Sequence, residues 1–129
     1  MSPLQKLIVL ERQTSLMGFD WPNTEMIIDQ AISECDEIKR TIQMREGRKR
    51  LQEEVGDLLH AAISLCVFEG LDVEETLEQA NSKFGARLEA LQQIIKGRGF
   101  STLKGQPFDF LLELWEEAKH LANNSVKTS

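Results

Sequence analysis

Two pairs of carboxylates in the first half of this chain have types and spacing that can do chemistry: Glu34 with Glu37, and Glu54 with Asp57. Each pair is three positions apart, so on a helix its members point to one side, about 60° from each other. Around the first pair, Ile27, Ala31, Cys35, Ile38 and Ile42 recur at helical spacing; around the second, Val55, Leu58, Leu59, Ala62, Leu65 and Cys66 do the same. Both pairs are read at the margin of their apolar stripe. A tight turn over Glu46 to Lys49 between two antiparallel helices brings those margins together, with Glu37 and Glu54 near the turn and Glu34 and Asp57 one helical turn beyond. Four carboxylates meeting there repel one another unless a cation neutralises them, and all-oxygen ligation favours a hard divalent ion, Mg²⁺ or Mn²⁺. On spacing alone a second reading stays open, because the chain has 21 acidic residues and such pairs are common on solvated helix faces.

The elements that must position these side chains are helices. Leu, Ile, Ala, Glu and Lys are plentiful and aromatics make up only 6% of the chain, a balance that favours helix over strand. Glycines and prolines divide the sequence into five helical segments: Pro3 to Met17 behind a Ser2 cap, Thr24 to Arg45, Arg48 to Glu69, a fourth opened by Asp72 and running to Lys96, and a fifth from Pro107 to Ala122. The fourth carries its own stripe of Leu77, Ala80, Phe84, Leu88, Leu91 and Ile95. The expectation is an all-α, antiparallel helical bundle of about five helices, one domain over 1–122 with a frayed polar tail at 123–129. Helices this long in a chain of 129 residues are more easily covered by a second copy, so a homo-oligomer completes the bundle.

The net charge of −6 argues against binding a nucleic-acid polymer, which needs a basic footprint, but permits a nucleotide reached through a divalent cation. Apolar runs fall short of a membrane span, and the N-terminal MSPLQKLIVLERQ lacks the features of a secretory leader, so a cytoplasmic location is expected. Cys35 and Cys66 are then expected as buried free thiols. The basic run Arg45, Arg48, Lys49 and Arg50 reads as a solvated turn, with phosphates of a neighbouring subunit as its other use. His60, three residues after Asp57, raises a di-iron carboxylate bundle as an alternative, although that architecture wants two Glu-x-x-His motifs. A non-catalytic helical adaptor is a third reading; charge at a core margin speaks against it.

The ordered motifs carry a resemblance. Ser33-Glu34-Cys35-Asp36-Glu37 followed by Glu54-Val55-Gly56-Asp57 is similar to the E-E-x-x-E and E-x-x-D pattern of the MazG-type all-α nucleoside triphosphate pyrophosphohydrolases. Gly18-Phe19-Asp20-Trp21-Pro22 upstream resembles that family's entry to the first motif helix. Ala80-Asn81-Ser82-Lys83-Phe84 with Arg87, the Arg98-Gly99 pair and Leu114-Trp115-Glu116-Glu117-Ala118-Lys119 downstream resemble its later motifs, in order, over roughly residues 16 to 120. The resemblance implies hydrolysis of (d)NTP to (d)NMP and pyrophosphate, in the house-cleaning of nucleotide pools. It implies Glu34, Glu37, Glu54 and Asp57 as the catalytic Mg²⁺ ligands, with one of them or Glu53 taking the proton of water. It further implies Lys83, Arg87 and Arg98 as triphosphate contacts, Asn81 as a contact to phosphate or sugar, and assembly as a dimer or a tetramer built as a dimer of dimers. Phe19 and Trp21 are read as stacking partners of the base, with capping of the bundle core as the other reading. Trp115 is read as core or interface. Three departures stand out: Ser33 replaces the first Glu of the motif, Gln30 a frequent Lys, and Ala86 a frequent Arg.

Overall fold

In the computed structural model the backbone is described over residues 1–128 and side chains over 1–124. Five helices follow one another: α1 (Pro3–Leu16), α2 (Thr24–Gln43), α3 (Arg48–Phe68), α4 (Val73–Gly97) and α5 (Phe108–Thr128), and the described residues include no strand. Local chemistry accounts for the boundaries. Ser2 and Gln5 form a reciprocal capping box around α1, the Ser2 hydroxyl accepting from the Gln5 amide at 3.2 Å and the Gln5 side chain from the Ser2 amide at 3.0 Å, with Pro3 at the first helical position. Asn23 accepts from the Met26 amide at 2.9 Å and opens α2; Asp72 accepts from the Glu75 amide at 2.8 Å and opens α4. The turn between α2 and α3 passes through Arg45 at φ 51° and Gly47 at φ 100°, ψ 166°, the latter a conformation that side-chain-bearing residues avoid. The last helix is helical to Thr128, past the expected end at Ala122; residue 129 of the expected tail lies outside the described residues.

The chain divides into two compact units, Met1–Thr76 and Leu77–Ser129. In the first, α2 and α3 pack as a hairpin and α1 lies against α3. In the second, Ala90 of α4 meets Ala118 and Ala122 of α5, with Ala86, Leu91, Ile94 and Trp115 around them. Small residues at the contact let the two backbones approach. Phe84 packs on Trp115 at 6.1 Å between ring centroids, which places Trp115 in this unit's core as anticipated.

The faces that are buried differ from the expected stripes. On α2 the inward arc is Ile27, Ala31, Glu34, Ile38 and Thr41, all within about 40° of Ile27's direction. On α3 it is Leu51, Glu54, Leu58, Ala61, Leu65 and Phe68. Cys35, Ile42, Val55, Leu59 and Ala62 are exposed, so Cys35 is no buried thiol, while Cys66 is half-buried. The reason is that α2 and α3 each carry two apolar arcs, and a periodicity average falls between them. Glu54 consequently stands inside the hairpin contact instead of at its edge, with Glu34 half-buried.

Candidate active site

The α2–α3 hairpin delivers carboxylates to one point. Oxygens of Glu34, Glu54 and Asp57 all lie within 4.8 Å of one another. Glu54 is only 4% exposed, Glu34 half-buried and Asp57 exposed, so the set runs from the hairpin interior to the surface. Burial is the main influence holding the Glu54 carboxyl above the usual carboxylate range; Arg50 opposes it, and the charges of Asp57, Glu34 and Glu37 push in the same direction as burial. Glu37 is therefore close enough to act on Glu54, but it stands outside the three converging oxygens and leans on Arg40 at 3.9 Å. Gln30 donates to Glu34 at 2.7 Å, so the residue that departs from the family pattern orients a member of the set through a neutral hydrogen bond.

This donor set fits a hard divalent ion. Opposed oxygens around Mg²⁺ stand about 4.2 Å apart, twice a bond of about 2.1 Å, so oxygens within 4.8 Å of one another reach that spacing with a small shift of the exposed Asp57 side chain. Charge neutralisation would also relieve the repulsion that burdens Glu54.

Beside the carboxylates opens a cavity of about 800 Å³, within the range of small-molecule sites. Glu34 and Asp57 line it together with Phe19 and Trp21 from the α1–α2 loop, and Glu11, His60 and Ser64 from the α1–α3 contact. The loop is shaped by Asp20, which accepts from the Ser15 hydroxyl and from the Trp21 amide, both at 2.9 Å. Across the cavity wall the Glu11 carboxylate accepts from the buried Ser64 hydroxyl at 2.6 Å and from His60 Nε2 at 2.5 Å. His60 thus serves a polar bridge between α1 and α3 and is no member of the converging carboxylate group, which removes the motif that suggested di-iron. Sequence reasoning missed Glu11 and Ser64. Their signal was a charged residue at the half-buried position after Leu7 and Ile8 on α1, and a hydroxyl beside the inward arc of α3.

Of the other expected contacts, Asn81, Lys83, Arg87 and Arg98 belong to the second unit. Asn81 and Lys83 are exposed on α4, Arg87 is half-buried there, and the Arg98 guanidinium pairs with Glu117 of α5. Arg50 does not behave as a solvated turn residue: its guanidinium lies 2.7 Å from Glu54, 3.4 Å from Glu53 and 3.7 Å from Glu46.

A helical hairpin that converges acidic side chains on one point, next to a cavity lined by aromatics, defines a class: all-α proteins with a carboxylate cluster beside a cavity of small-molecule size. Comparison with known proteins makes this specific. Residues 23–91 match the model of the MazG nucleotide pyrophosphohydrolase domain, and the chain belongs to that family. It is 30% identical over 111 residues to a nucleoside triphosphate pyrophosphohydrolase of Escherichia coli K12, an alignment covering 85% of this chain and 42% of that relative. It is 34% identical over 110 residues to the nucleoside triphosphate pyrophosphohydrolase/pyrophosphatase MazG of Thermotoga maritima, covering 85% and 41%. The chain therefore spans about two fifths of the length of these curated relatives. The matched segment contains all four candidate carboxylates, whereas α1, which supplies one wall of the cavity, precedes it. No helix among the described residues is long and apolar enough to cross a membrane.

Proposed function

We propose that this chain hydrolyses nucleoside triphosphates to the monophosphate and pyrophosphate with Mg²⁺, for which Mn²⁺ can substitute. The observation that carries this reading is the convergence of Glu34, Glu54 and Asp57 at the edge of a cavity that also holds Phe19 and Trp21. Glu34, Glu54 and Asp57 hold the ion, and Glu37 completes the set from its edge. When bound, the ion neutralises phosphate charge and makes water a better nucleophile. Water attacks the α-phosphorus, the bond from that phosphorus to the α–β bridging oxygen breaks, and pyrophosphate leaves. One carboxylate of this set, or Glu53 beside it, takes the proton of the attacking water. Trp21 and Phe19 present aromatic faces to the base, and the Glu11, His60 and Ser64 bridge keeps that wall in place. On the same reading Lys83, Arg87 and Arg98 contact the triphosphate and Asn81 phosphate or sugar; single alanine substitutions that leave KM and kcat unchanged would remove them from those roles.

The second copy expected from the sequence also has a surface to meet. Ile28, Ile32, Ile42, Val55 and Leu59, on the two helices of the hairpin, are each at least 40% exposed. Exposed apolar stripes of that extent on two adjacent helices fit self-association. A role in clearing the nucleotide pool, in the cytoplasm, follows from the same reading.

The deciding experiment is a panel of NTPs and dNTPs with Mg²⁺, products separated by ion-exchange chromatography, with and without inorganic pyrophosphatase. Monophosphate and pyrophosphate are expected, and orthophosphate only with the coupling enzyme. Release of orthophosphate from the protein alone would overturn attack at the α-phosphorus.

A further inference from the structure

Among the cations near the candidate metal ligands, Arg50 makes the closest contact. Its guanidinium is 2.7 Å from an oxygen of Glu54, the one ligand that is almost wholly buried, whereas Arg40 reaches only the half-exposed Glu37, at 3.9 Å. Arg50 itself is about half exposed, and it is held on its other edges by Glu53 at 3.4 Å and Glu46 at 3.7 Å. One arginine thus spans three carboxylates, the adjacent Glu53 and Glu54 on α3 and Glu46 before it, and only one of the three belongs to the metal set. The planar guanidinium fork suits such shared pairing, which an ammonium group cannot reproduce.

We propose that Arg50 is a tethered counter-cation that occupies Glu54 while the metal is away and withdraws onto Glu46 and Glu53 when the metal binds, so that it sets the protein's metal affinity. This rests on the reading of Glu34, Glu54 and Asp57 as metal ligands. The physical case is a competition between two cations for one carboxylate. Glu54 is almost wholly buried beside Glu34 and Asp57, and Arg50 supplies an opposite charge to it from within the chain. The same contact opposes metal entry, because the guanidinium charge already rests against the carboxylate that the ion must bind. Glu46 and Glu53 make the exchange feasible: on leaving Glu54 the guanidinium keeps two carboxylate neighbours instead of entering water bare. Arg50 touches no reacting atom in this scheme and is a positioning residue.

The test is Mn²⁺ binding to the full chain, measured by electron paramagnetic resonance of the free ion in the absence of nucleotide, with thermal unfolding alongside. Arg50→Gln should bind Mn²⁺ tighter by on the order of tenfold, the loss of one charge-assisted competitor. Its metal-free form should melt below wild type, and the gap should narrow as Mn²⁺ saturates. Arg50→Lys, which keeps the charge and loses the fork, should fall between the two. Glu46→Gln removes a retreat position and should weaken Mn²⁺ binding, the opposite sign, which keeps the proposal testable even if Arg50→Gln does not fold. Unchanged or weaker Mn²⁺ binding in a folded Arg50→Gln, or tighter binding in Glu46→Gln, overturns it. Glu54→Gln separates the two levels: if it binds Mn²⁺ as wild type does, the metal site itself is wrong; if it loses Mn²⁺ while Arg50→Gln fails to tighten binding, only the counter-cation role is wrong.

Discussion

Replacing Glu54 by Gln should inactivate the protein and, without metal, stabilise it. The two effects share a cause. Burial and the charges of Asp57, Glu34 and Glu37 together outweigh the attraction of Arg50, so the Glu54 carboxyl holds its proton more tightly in the folded chain than in the unfolded one. The folded state then binds more protons in the interval between the ordinary glutamate range and the raised folded value. Stability from this group is accordingly greatest below that interval and is lost as pH rises through it. At neutral pH the charged Glu54 is a burden, which a neutral amide of the same shape removes, while Arg50 keeps Glu46 and Glu53. Magnesium should reverse the order. An ion present at about a hundred times its dissociation constant stabilises the protein that binds it by about 2.7 kcal/mol. For a chain of this size that is a rise of about 10 °C in Tm. The assay is differential scanning calorimetry of both proteins at pH 5 and pH 7.5, with and without Mg²⁺. Wild type should gain with Mg²⁺ and the variant should not; without Mg²⁺ the variant should melt higher, and more so at pH 7.5. A metal-free variant that melts below wild type at pH 7.5, or one that gains the full rise with Mg²⁺, refutes the reasoning.

Other outcomes follow from single features. Gly47→Ala should cost about 1–3 kcal/mol, because the backbone at φ 100°, ψ 166° tolerates no side chain although nothing lies within 4 Å of the added carbon; urea denaturation measures it, and a neutral substitution would mean the turn is built otherwise. Trp21→Ala should raise KM for every nucleoside triphosphate by on the order of tenfold with a smaller fall in kcat, since stacking binds the base without touching the phosphorus. Leu59→Glu, at a position 64% exposed within the chain, should lower the mass measured by light scattering without altering the circular dichroism spectrum, if that face meets a second copy. Glu11→Ala should destabilise by about 1–3 kcal/mol by leaving the buried Ser64 hydroxyl without its acceptor, and Ser64→Ala in the same background should recover part of that loss.

Much of the architecture was legible because helix ends are local events. Ser2, Asn23 and Asp72 cap the helices they precede, and Gly18, Gly47 and Gly70 stand at positive φ between helices. The approach of the α2 acidic pair to the α3 pair was expected from the short turn, with Glu37 level with Glu54 and Glu34 with Asp57; the structure brings Glu34, Glu54 and Asp57 together and leaves Glu37 outside. The depth of those residues was not readable. Ile28, Ile32, Ile42, Val55 and Leu59 are as apolar as any core residue, and a wheel cannot tell an arc that meets the neighbouring helix from one that stays exposed. Cys35 was misplaced for that reason.

By itself the sequence determined five helices, their caps and turns, the acidic pairs and the family to which their order belongs. These depend on residues near one another along the chain. Only the tertiary structure decided that Glu54 is buried, that Arg50 sits on it, that Glu11 reaches across to His60 and Ser64, and that a cavity opens between them and the carboxylates. Those facts depend on how α1 and α2 rotate about their axes as they pack on α3. That rotation is chosen by the sum of many contacts between residues distant in sequence, and no local pattern records it.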